Sequence, residues 1–275
     1  MADRLTAAER VDAALSPNAP AAASAAAIAA GEAAVTPLVE RLDAARPAER
    51  DTIIAILDGI GSPTAVDPLL PLLASGQSGA RSRAARVILG IVLTHGRPES
   101  EAFDRAVLKA LCAGADAAVL LLAGLVPAAA AALNSYRDST VEVQRSDFGP
   151  SVYGRIPANI ALARLGDADA RVSVLTEIAS ARGSRLRFYL SVLPLIEDRT
   201  VLSMLAENTL HNLKPQPDSR PSGAGAPRRI ADIAVDAFAA RLALDTGFPI
   251  DRIRRYTDKE RDRVHALVRN ALPAH

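Results

Sequence analysis

The chain has 275 residues, 49% of them apolar, with 3% aromatics and no tryptophan. The apolar content is mostly Ala, Leu, Val and Ile, so helices that approach closely are favoured over aromatic-rich strands. A net charge of +1 excludes a global field that would draw in nucleic acid or an anionic membrane, and one cysteine excludes an internal disulfide.

The N-terminus, MADRLTAAERVDAAL, carries charge throughout and has no apolar signal core; the alanine run from Pro20 to Ala30 is too short to span a bilayer. The expectation is a cytoplasmic chain with no membrane partner, whose residues 1–19 form an N-terminal cap. PAAASAAAIAAGEAAVTPLV comes next, then ERDTIIAILDGIGS at 49–62 with PTAVDPLLPLLAS after it, and ARSRAARVILGIVL at 80–93. Each has apolar residues three and four apart, the helical spacing. Cys112, in VLKALCAG, is expected to be a buried, inert thiol. ADAAVLLLAGLVP comes after it, and then residues 134–152 break the period.

GRIPANIALARLGD, residues 154–167, is the clearest unit. Gly166 can end its helix in a left-handed cap, and Asp167 can open the next helix, DADARVSVLTEIAS, as N-cap. SRLRFYLSVLPLIE at 184–197 leads into DRTVLSMLAENTL, and PRRIADIAVDAFAA at 227–240 comes after a Pro-, Gly- and Ser-rich insertion at 214–227. The tail from 246 to 275 is expected to form a charged capping helix. The second helix position is occupied in turn by Pro20, Arg50, Arg81, Asp116, Arg155, Arg185 and Arg228, at spacings of 30, 31, 35, 39, 30 and 43 residues. Two helices per unit at such a period are the mark of an α-solenoid.

The strongest copy resembles the HEAT-repeat family, in particular the short bacterial type related to bilin-lyase repeats. Arg155, Ala158, Ala161, Leu162, Leu165, Gly166 and Asp167 carry the likeness, and Ala65–Leu69 and Ala34–Leu38 match the opening of the following helix. The resemblance covers about residues 20–245 and implies one all-α domain, a right-handed α/α superhelix of about seven helical hairpins. It also implies that the recurring arginines Arg50, Arg81, Arg155, Arg185 and Arg228 are structural, pairing with turn acids of neighbouring units, for which Asp67, Asp167 and Asp198 are available.

No catalytic residue, metal ligand or cofactor motif stands out. The four histidines, His95, His211, His265 and His275, are scattered, and Asp147-Phe148-Gly149 matches a kinase triplet in letters only. In each first helix, position 7 should turn away from the buried stripe: Ala55, Arg86, Leu121, Ile160, Leu190 and Ile233. With the nearby Arg83, Ile156, Arg164, Arg187 and Arg229, and with Tyr153 and Tyr189, these are the candidates for an apolar, arginine-bordered concave face; in a tight superhelix the same positions would be core. Tyr136 is a further aromatic contact candidate. The expectation is a non-enzymatic scaffold, adaptor or immunity-type inhibitor holding a protein or peptide partner. A nucleic-acid binder using the arginines and a lyase-like ligand-holding helper are the alternatives; a nearly equal number of acids speaks against the former.

Overall fold

The computed structural model describes residues 5–16, 19–42, 44–76, 78–114, 116–143, 152–214, 228–251 and 254–272. Residues 144–151 and 215–227, which hold part of the first expected insertion, nearly all of the second and the Asp147-Phe148-Gly149 triplet, lie outside them, as does His275.

Short polar side chains start many of the helices, as their sequence positions require. Thr6 opens α1 (Ala7–Leu15) in a reciprocal box, its Oγ1 accepting from the Glu9 amide while Glu9 accepts from the Thr6 amide. α2 (Ala21–Ala29) and α3 (Val35–Leu42) come next, joined by a 3-10 turn at Gly31–Ala34. α4 (Pro47–Ile60) has proline in its first turn and ends at Gly61, whose φ of +65° is the left-handed region. A 3-10 turn at Pro63–Ala65 leads into α5 (Val66–Leu73), then α6 (Ser78–His95), α7 (Glu101–Cys112) and α8 (Ala117–Ala123).

These eight helices belong to the first of two compact units, Met1–Ala132. In it α2 packs on α4, α4 on α6 and α6 on α8, while α5 packs on α6 and α7, and α7 on α8. Every residue of α8 is buried. A helix that is apolar all round is covered on all sides, and Leu121, 1% exposed, is therefore core and not part of an open face. Cys112 corrects another expectation. It is exposed, because α7 buries Phe103, Ala106, Val107, Ala110 and Leu111, and residue 112 falls off that stripe.

α9 (Ala130–Asn134) precedes the body of the second unit, Leu133–His275. Part of the expected insertion forms a two-stranded antiparallel ribbon, β1 (Glu142–Val143) with β2 (Val152–Tyr153), in which Glu142 pairs with Tyr153 and Val143 with Val152. α10 (Arg155–Arg164) then ends as its sequence demands: Gly166 has φ +93°, and Asp167 accepts from the Ala170 amide at 2.8 Å to start α11 (Ala168–Ser180). α12 (Ser184–Ser191) is shorter than its apolar period, giving way at Pro194 to a 3-10 turn, Leu193–Leu195. Asp198 caps α13 (Arg199–Thr209), and α14 (Ile230–Arg241) and α15 (Asp258–Ala271) complete the unit. α10 packs on α11, α11 on α13, α12 on α14, and α15 on both α13 and α14.

The protein is thus all-helical apart from the short ribbon, among the described residues. No single described helix is long and apolar enough to cross a membrane.

Candidate functional site

Polar contacts at a spacing near 30 residues recur along both units. In the first, Arg41 reaches Asp12 at 2.5 Å across 29 residues, and His95 Nε2 lies 3.1 Å from the Gly61 carbonyl across 34. In the second, Arg137 bonds Asp167 and the Asn208 amide donates to the Ile178 carbonyl, each across 30. The Ala170 amide and Arg137 together outweigh desolvation and hold the Asp167 carboxyl below its usual range.

The recurring arginines make internal contacts, but not with the acids foreseen. Arg155 donates to Glu177 through Nε and Nη2 at 3.0 and 2.9 Å, and Arg185 lies 3.5 Å from the same carboxylate, so one acid of α11 gathers α10 and α12. Arg228 bonds Asp236 at 2.7 Å, while Arg50 and Arg81 donate to the carbonyls of Ala45 and Ser75. The turn acids Asp167 and Asp198 are met instead by Arg137 and by Arg171, the latter at 2.5 Å. The signal available was the period itself: Arg137 and Asp167 lie one repeat apart. Asp116, standing in an arginine slot, caps α8 by accepting from the Val119 amide.

The concave-face candidates divide. Ile156, Ile160, Tyr189 and Leu190 are buried like Leu121, because α10 is covered from Ile156 to Leu162 and α12 has its apolar run turned inward. Burial, with the Glu177 charge adding to it, pushes the Tyr189 phenol well above its usual range. Arg229 is committed internally. Both oxygens of Asp232, a fully buried carboxylate on α14, receive its guanidinium, which also donates to the Tyr256 carbonyl at 2.6 Å. Tyr256 N–H completes the grip on Asp232 at 3.0 Å. Arg83 pairs with Asp51 at 2.5 Å and Arg86 lies 3.9 Å from Asp58. Arg187 and Ile233 are half-buried, as is Tyr136, and Ala55 is exposed. Tyr153 is exposed, with the Arg155 guanidinium 4.7 Å above its ring.

Two of the candidates, Ile160 and Arg164, do meet in one place. α10, α11, the Leu193–Leu195 turn and the start of α13 enclose a cleft of about 270 Å³. Ile160, Val174, Leu195 and Val201 make its apolar wall. Its rim is ionic: Arg164 pairs with Glu197 at 2.8 Å and donates to the Leu195 carbonyl, and Arg171 pairs with Asp198. Small-molecule sites run to roughly 300–1,000 Å³, and this cleft falls just below that range. Among the described residues, no group of three or more His, Cys, Asp and Glu side chains could hold a metal ion. Comparison of the chain with family models, with curated proteins and with solved structures gives no match.

Proposed function

We propose that this chain is a non-enzymatic, HEAT-like α-solenoid protein that grips a protein or peptide partner, one of whose aliphatic side chains seats in the cleft between α10, α11 and α13. The observation that carries the reading is the cleft itself, an apolar wall of Ile160, Val174, Leu195 and Val201 beneath the Arg164–Glu197 and Arg171–Asp198 pairs. An aliphatic anchor in a residue-sized pocket ringed by polar groups is the arrangement that concentrates binding energy at interfaces. The contacts near a 30-residue spacing support the solenoid reading, since each ties a unit to its neighbour in the series. A nucleic-acid reading draws less support: Arg83, Arg86, Arg164 and Arg171 all lie beside carboxylates, which lowers their attraction for phosphate.

The test uses the full chain as bait in extract of its native cell, beside Arg164→Ala/Arg171→Ala and Val174→Arg variants. The expected result is a partner retained by the parent at physiological salt and lost, by tenfold or more, from both variants. A partner held equally by all three, or none held by a correctly folded parent, would overturn the reading.

A further inference from the structure

His211 and His265 are 54 residues apart, and no sequence spacing relates them. The packing of α13 on α15 brings them together. His211 sits in the turn just after α13, and His265 lies on α15 with its side chain 15% exposed. His211 Nε2 and His265 Nδ1 face each other at 3.3 Å, with the rings at 83° and their centroids 4.7 Å apart.

The outer nitrogens face carboxylates, and the pairing is crossed. α13 supplies Glu207, whose Oε1 lies 3.0 Å from Nε2 of His265 on α15. α15 supplies Asp262, whose Oδ1 lies 3.9 Å from Nδ1 of His211 beside α13. Each helix therefore contributes one imidazole and one acid, and each acid addresses the other helix's imidazole.

We propose that the inner nitrogens, His211 Nε2 and His265 Nδ1, are a binding site for a borderline divalent transition metal of the zinc type. Three features of the geometry agree. Zinc–imidazole bonds of about 2.0–2.1 Å at a tetrahedral angle place two nitrogens about 3.3–3.4 Å apart, which is the separation found. Metal-bound histidines direct their other nitrogen to a carboxylate, and here a carboxylate oxygen stands near each outer nitrogen, 3.0 Å from His265 Nε2 and 3.9 Å from His211 Nδ1, neither yet as a hydrogen bond. The two carboxylates also offset the charge of the ion. The site offers two protein ligands, fewer than a closed structural centre, and water fills the remaining positions. It borders an open groove lined by Glu207 and His211 and by two cations, Arg182 and Lys214, which weaken the attraction for a second cation.

Metal binding requires one protonic rearrangement. Without metal, one inner nitrogen carries the hydrogen of the His–His bond. With metal, both inner nitrogens present lone pairs, so the imidazole that donated shifts its hydrogen to its outer nitrogen, Nδ1 of His211 on the Asp262 side or Nε2 of His265 on the Glu207 side. Asp262 is thus a positioning residue for the metal-competent tautomer. This proposal stands apart from the cleft and the partner reading.

Zinc chloride alone, titrated calorimetrically into the tag-free full chain, tests it. One zinc per chain is expected, with affinity falling tenfold or more in His211→Ala and in His265→Ala, and about tenfold in Asp262→Asn. Circular dichroism establishes folding; His211 is half exposed in a turn, so His211→Ala serves should the variant at the less exposed His265 unfold. Nitrogen-15 imidazole shifts supply the second readout: zinc should move His211 Nε2 and His265 Nδ1, and place the hydrogen of His211 on Nδ1. Zinc heat that is absent, that survives in His211→Ala, or that leaves the imidazole shifts unmoved would overturn the proposal.

Discussion

Removing the carboxylate of Asp232 should unfold the second unit more easily than any surface change. Asp232 is fully buried and accepts four hydrogen bonds: from Arg229 N at 2.9 Å, Arg229 Nε at 3.0 Å, Arg229 Nη2 at 2.8 Å and Tyr256 N at 3.0 Å. In Asp232→Ala the Tyr256 amide, itself buried, loses its acceptor, at about 1–3 kcal/mol. The Arg229 guanidinium, 16% exposed, keeps its hydrogen bond to the Tyr256 carbonyl but loses both carboxylate contacts. Breaking a buried pair from one side costs about 3–5 kcal/mol in all, or roughly 6–20 °C at 2–4 °C per kcal/mol. Asp232→Asn, which retains one acceptor oxygen, should lose less. The pH dependence has a definite sign. Burial alone would raise the Asp232 pKa, but Arg229 and the backbone amides outweigh it and hold the carboxyl below its usual range. The stability it supplies is therefore complete above the unfolded value of about 3.9 and is lost as pH falls through the folded value. Urea unfolding followed by far-ultraviolet dichroism at neutral pH measures the effect. A loss below about 1 kcal/mol in Asp232→Ala would show that this network does not hold α14 to the start of α15.

Three further outcomes are expected. Gly166→Ala should cost about 1–2 kcal/mol through its φ of +93° alone, because no atom lies within 4 Å of an added Cβ; urea unfolding would show it, and a neutral change would mean the turn can relax. Cys112 should react stoichiometrically with a chromogenic disulfide in the native protein, without denaturant, as an exposed thiol. In a spectrophotometric alkaline titration, Tyr256, pushed up to about 12 by burial and by its hydrogen bond to Asp236, should ionise with or after unfolding, as should the still more perturbed Tyr189; full ionisation of all four tyrosines near pH 10 in folded protein would contradict their placement.

Local grammar was legible and lateral packing was not. Gly166 and Asp167 announce a helix end and a helix start because each acts on its own neighbours, and the structure uses them so. Thr257 and Glu260 do the same for the charged C-terminal helix. Position 7 misleads because exposure depends on what lies across from a helix. Ile160 and Leu121 sit in stretches without charge for a full two turns, IPANIALA and AAVLLLA, and that uniform apolarity was the better guide to burial on every side. The cleft was half readable: the helical period singles out Ile160 and Arg164, but Val174 and Val201 come from helices whose approach no spacing encodes. The His211–His265 meeting, made wholly by tertiary packing, left no trace in the chain order.

The polar contacts near a 30-residue spacing, Arg41 to Asp12, Arg137 to Asp167 and Asn208 to Ile178, each close a long loop of chain. A few residues gained or lost in the intervening turns change the length of that loop without touching either partner. Closure entropy grows only slowly with loop length, so such ties survive small insertions and fail only where the two helices that carry them no longer meet.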